Sequence, residues 1–202
     1  MFKQRTVEEL SYLETVNKII ELNEGIQSFW SQSQGWAPTE AAVLLSESRL
    51  DWLVSLSHSL YKWEKNPDKE AYEGDLILAW SNLGALVEGA MKFFLSVFYE
   101  DYKSDANAIS QWGKQVNPDG AMFNGLRKFF MGSIWSDAER KIKNNWLEEI
   151  QEKRNVIHAY RDRDIKDFTY FREQVKEYLL FLMDLLDRIP YPDDHYRPDF
   201  TL

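Results

Sequence analysis

The chain has 202 residues, no cysteine and a formal net charge of −9. That length points to one domain. The missing thiols exclude disulfides, thiolate metal sites and a cysteine nucleophile, and the acidic balance excludes whole-surface attraction to nucleic acid. With 44% hydrophobic and 15% aromatic residues the sequence can fill a large core, which excludes global disorder.

The opening segment, MFKQRTVEEL, has no apolar run, so it predicts no signal peptide and a cytoplasmic protein. Thr6-Val7-Glu8-Glu9 has the spacing of a capping box. It predicts a helix carrying Leu10, Leu13, Val16, Ile20, Leu22 and Ile26 to about Trp30. Residues 31–38 are polar and contain glycine, so they form a loop. A second helix is predicted over 39–63, with Leu45, Trp52, Leu53, Leu56, Leu60 and Trp63 on one face. His58 sits between serines and reads as a structural or exposed histidine.

A third helix is predicted over 68–102. Between Leu76 and Tyr99 only Glu88 and Lys92 are charged. Those charges and Asn82 make a membrane span costly. A helix apolar nearly all round is instead the central helix of a bundle, or one that meets both a core and a partner subunit. Glu88 and Lys92 have the spacing of a favourable ion pair; alternatively Glu88 is a carboxylate that orients the basic residues of a later helix.

Residues 103–117 form a polar connection that Ile109, Trp112 and Val116 can pin down. Asn117-Pro118 predicts the start of a short helix burying Met122, Leu126, Phe129 and Phe130, and Gly132 closes it. Ser136-Asp137-Ala138-Glu139 is a second capping box. It predicts a helix over 136–162 with an apolar stripe of Ile142, Trp146, Ile150 and Ile157. Asp164 is the predicted cap of the last helix, whose stripe is Phe168, Phe171, Val175, Tyr178, Leu179, Leu182, Leu186 and Ile189. Pro190 ends it and leaves an extended tail. The expected architecture is all-α, an up-and-down bundle of five to six helices in residues 1–189, with a tail over 190–202.

Chemistry concentrates in one stretch, Glu149 to Asp164 (EIQEKRNVIHAYRDRD). On a continuous helix Arg154, His158 and Arg161 fall in one column. Asn155 stands beside Arg154, and Tyr160 beside Arg161. Guanidinium forks suit phosphate oxygens, and an imidazole exchanges a proton near neutral pH. The alternative is a helix C-terminus whose cations answer the macrodipole and pair with neighbouring acids. His58, His158 and His195 share no metal-ligand spacing, and no Gly-rich phosphate loop or nucleophile elbow occurs, so neither a metal nor a cofactor is predicted.

Arg154-Asn155-Val156-Ile157-His158, late in a helical bundle and followed by one more amphipathic helix, resembles the signature of the HEPN superfamily. Members are all-α and often homodimeric. Many are metal-independent RNases of toxin–antitoxin, defence or RNA-processing systems; others only bind nucleotides or partners. The resemblance implies Arg154 and His158 as catalytic residues of an RNase or RNA/nucleotide-binding protein. Asn155, Tyr160 and Arg161 would contact substrate, with Glu88 in support. It also implies a homodimer and, for toxin-type members, a cognate antitoxin. The family separates its arginine and histidine by four to six residues; here three intervene. On a continuous α-helix that sets the two side chains about 40° apart, against about 140° for a gap of four. A catalytically inactive dimerisation or interaction module, built on the 136–163 helix, is the alternative.

Overall fold

A computed structural model describes residues 5–158 and 162–202. Among them the chain is all-α apart from one two-stranded hairpin. The α-helices are α1 Tyr12–Trp30, α2 Thr39–Glu47, α3 Leu50–Ser59, α4 Tyr72–Val97, α5 Tyr99–Ser104, α6 Phe123–Phe129, α7 Asp137–Arg154 and α8 Phe168–Asp187; the strands are β1 Ser110–Gln111 and β2 Lys114–Gln115.

Helix α4 occupies the centre and packs on α2, α3, α6, α7 and α8, while α1 lies against α3 and α8. Leu83, Leu86, Val87 and Met91 on α4 are fully buried, as are Phe171, Val175, Tyr178, Leu179 and Leu182 on α8. Every residue of the predicted α8 stripe is buried, from Phe168 to Ile189. No described helix is long and apolar enough to cross a membrane.

Several predicted elements are shorter than the sequence suggests. The Thr6 capping box forms, yet it caps only a 3-10 turn, Val7–Glu9. A second box, Ser11 with Glu14, opens α1. The 39–63 helix breaks at Ser48-Arg49, where the Ser48 hydroxyl donates to the Leu44 carbonyl at 2.7 Å and the backbone turns extended. Trp52 is then exposed beneath the Arg49 guanidinium instead of joining the buried face. The 68–102 helix divides at Phe98 into α4 and α5. Asn117-Pro118 opens a single 3-10 turn, and α6 follows at Phe123 with Met122 exposed. Gly132 lies within a π-helical turn, Phe130–Ile134, instead of closing the helix.

The 103–117 connection holds the hairpin, with Ser110 opposite Gln115 and Gln111 opposite Lys114. Strands of two residues are too short to alternate visibly in sequence. Ile109 is buried as expected, but Trp112 lies at the tip and is 99% exposed. On α7 the predicted stripe drifts: Ile150 is buried and Trp146 packs at the core edge, whereas Ile142 is 75% exposed and Ile157 is exposed. Leu147 and Lys153 take the inner positions. The cap of α8 is Asp167, which accepts from the Tyr170 N–H at 2.8 Å; Asp164 instead accepts from the Lys166 N–H. In the tail, Tyr191, Phe200 and Leu202 pack against the core.

Candidate functional site

Helix α7 begins as predicted, with Ser136 and Glu139 capping each other. It stops being α-helical at Arg154, and Asn155–His158 continue as a 3-10 turn. The predicted single column therefore fails at its second member. An α-helix advances about 100° per residue and a 3-10 helix about 120°. Four 3-10 steps set His158 about 120° from Arg154, not 40°. Tyr160 and Arg161 lie outside the described residues.

Arg154 is held from three sides. Beneath it Gly84 leaves no side chain: a Cβ there would lie 2.5 Å from the Arg154 Cβ. The Phe123 ring of α6 stands under the guanidinium, 5.4 Å from its centroid. The guanidinium donates to Glu88 Oε2, and the other Glu88 oxygen pairs with Lys92 at 2.8 Å. Lys92 also donates to the Asp119 carbonyl at 3.0 Å. Glu88 is thus the ion-pair partner of Lys92 and also faces Arg154. One carboxylate shared by two cations leaves one net positive charge in an acidic chain. The cluster is partly open, with Arg154 at 29% and Glu88 at 16% side-chain exposure.

Asn155 and His158 are exposed, and among the described residues neither side chain makes a hydrogen bond or ion pair. His58 is exposed with its Nε2 3.8 Å from Glu24, and His195 is exposed beside Tyr196. Among the described residues no contact brings either near the Arg154 cluster.

Five residues around the site were not singled out by sequence: Lys153, Tyr170, Trp80, Gly84 and Phe123. Lys153 is buried, between the Trp80 and Tyr170 rings at 5.3 and 5.6 Å, with Glu149 at 3.1 Å and the Asp164 carbonyl at 3.3 Å. Tyr170 donates to Glu149 at 2.6 Å; burial and then that carboxylate push the phenol up to about 12. Trp80 donates to the Ile165 carbonyl. Together they tie the segment before α8 to α7 and α4. Gly84 and Phe123 fix Arg154 by packing, and nothing in the sequence sets Gly84 apart from Gly74 and Gly89 of the same helix.

A guanidinium, an ammonium and a nearby imidazole can hold a phosphate and move a proton. No protein-family model, curated protein or solved structure matches the chain.

Proposed function

We propose that this chain is a HEPN-type up-and-down helical bundle that binds RNA through a phosphate at Arg154 and Lys92 and cleaves it without metal. The carrying observation is the 3-10 turn that starts directly after Arg154. It rotates His158 to about 120° from Arg154, close to the 140° that a gap of four residues gives on an α-helix. The shortened motif thereby regains most of the angle of the HEPN signature. Arg154, anchored on Glu88, stabilises charge on the phosphate. His158 takes the proton of the 2′-hydroxyl, whose oxygen attacks the adjacent phosphorus as the P–O5′ bond breaks and the 5′-oxygen takes a proton from water. The products are a cyclic phosphate and a 5′-hydroxyl. Asn155 orients the substrate, and a second copy of the chain brings a second Arg154–His158 pair.

The test is RNA cleavage in EDTA by wild type, Arg154→Ala and His158→Ala, after circular dichroism shows the three to fold alike. His158→Ala should lose about 10²- to 10⁴-fold in rate, the range of acid–base catalysis. A wild type inert on several RNAs would sink the nuclease reading. A second reading, an inactive interaction module, draws on the α7–α8 face: Ile142 and Leu180 are 75% and 38% exposed there, beside a cleft lined by Trp146 and Phe181.

A further inference from the structure

The hairpin between α5 and α6 displays a tryptophan at a cost. Trp112 and Gly113 are the two loop residues between β1 and β2, and both have positive φ, 55° and 74°. Two-residue loops of this kind are type I′ turns and favour Asn-Gly. A tryptophan in the left-handed region is an outlier that the surroundings must support. The strain secures no burial, since Trp112 is 99% exposed.

Gln111, the residue before Trp112, lines a cleft of 510 Å³ between the hairpin and α6. Its floor is Ile109 and Phe129, and its rim carries Ser110, Gln111, Asn124 and Lys128. Among the described residues the Ser110 hydroxyl, the Gln111 amide and the Lys128 ammonium make no hydrogen bond or ion pair; Asn124 only accepts, from Arg127 at 3.4 Å, so its amide N–H groups are free. The cleft and the Arg154 site are linked by consecutive residues of α6. Phe123, under the Arg154 guanidinium, is the immediate neighbour of Asn124 on the rim.

We infer that Trp112 and this cleft form a subsite for an unpaired nucleobase of RNA, next to the Arg154 phosphate site. The inference deepens the proposed function, on which it rests, by making the substrate single-stranded. An exposed indole offers a stacking face that any base can use. Amide side chains read base edges, and a lysine at the rim meets the backbone phosphate. A protein partner would be served by an apolar surround; the cleft rim has one exposed apolar side chain, Met122, among Ser110, Gln111, Asn124 and Lys128.

The test measures fluorescence anisotropy of a labelled short unpaired RNA, and of the same sequence as duplex, on the full chain. Trp112→Ala should weaken the unpaired RNA about 5-fold or more, leave the duplex unchanged, and be largely restored in Trp112→Phe. The full exposure of Trp112 makes both variants safe for folding. Unchanged affinity in Trp112→Ala overturns the subsite, as does a loss of self-association without a loss of RNA affinity. The two layers separate through Arg154→Ala. Trp112-dependent binding without cleavage by any protein keeps the subsite and removes the nuclease. Arg154-dependent cleavage indifferent to Trp112 does the reverse. A wild type that binds no RNA overturns both.

Discussion

Replacing Gly84 or Gly89 by alanine adds the same methyl group to the same helix, yet only the first change should destabilise the fold. Both gain about 1 kcal/mol of helix propensity. At Gly89 the new Cβ would lie 2.2 Å from Leu53 Cδ2 and no closer than 3.3 Å to anything else. That methyl is the far end of a rotatable side chain, so a shift of χ2 clears it for about 0.5–1.5 kcal/mol. Gly89→Ala should therefore be close to neutral. At Gly84 the added Cβ would lie 2.5 Å from Arg154 Cβ and 2.8 Å from its Cδ. A Cβ moves only with its backbone, so α7 must retreat from α4. Overpacking of that kind costs about 1–3 kcal/mol, and the Arg154–Glu88 pair is pulled apart as well. A net loss of about 1–2 kcal/mol follows, or about 2–8 °C in Tm for a chain of this size. Thermal unfolding by circular dichroism reads both variants. In the background of Arg154→Gly, which removes the obstructing Cβ, Gly84→Ala should turn stabilising. The reasoning fails if Gly84→Ala is as stable as Gly89→Ala, or if Arg154→Gly leaves its cost unchanged.

Trp112→Asn should raise stability by about 1 kcal/mol, read from the urea midpoint, because asparagine tolerates the left-handed turn position. Asp167→Ala should cost about 1 kcal/mol as a lost N-cap, whereas Asp164→Ala should cost under about 0.5 kcal/mol; thermal unfolding separates them. Glu139 is held down to about 2 by the Ser136 hydroxyl, then by the Ser136 backbone N–H, with Lys143 and Arg188 assisting. A depressed carboxylate stabilises the fold above its unfolded pKa and loses that contribution as pH falls towards the folded value. The urea midpoint of wild type should thus drop between about pH 4.5 and pH 2 more steeply than that of Glu139→Gln.

The α8 stripe could be read from sequence because eight apolar residues keep one helical period and each lands on the core. The Ser136 box could be read because its partner is three residues away. The end of α7 could not. No glycine or proline marks Arg154, and the segment beyond it is tied back by contacts from far in sequence: Lys153 to the Asp164 carbonyl, Trp80 to the Ile165 carbonyl. Trp112 misled for the opposite reason. A large aromatic reads as an anchor, and only the following Gly113 hints at a turn that faces it outward. In the site, Glu88 was visible as a lone carboxylate in an apolar helix. Gly84 and Phe123 act through packing between α4, α6 and α7, which no local pattern encodes.

The proposed site pairs a fixed cation with a free base, and this division predicts how Glu88→Gln behaves. Arg154 is pinned at its Cβ by Gly84 and at its head by Glu88, so it loses little freedom on meeting a phosphate. His158 has no partner among the described residues and can turn towards a hydroxyl. Removing the Glu88 charge leaves Arg154 and Lys92 uncompensated, which favours an anion. It also releases the guanidinium from its position, which disfavours the transition state. RNA affinity should therefore rise while kcat falls, by about tenfold or more for a misplaced catalytic group. Lys92→Met removes a cation and keeps the Glu88–Arg154 pair, so it should weaken binding with the smaller effect on kcat. Steady-state cleavage over a range of RNA concentrations separates the two. Equal losses of affinity and kcat in both variants would mean that Glu88 and Lys92 only hold α4 to α6 and α7, and that Arg154 has no privileged position for Glu88 to protect.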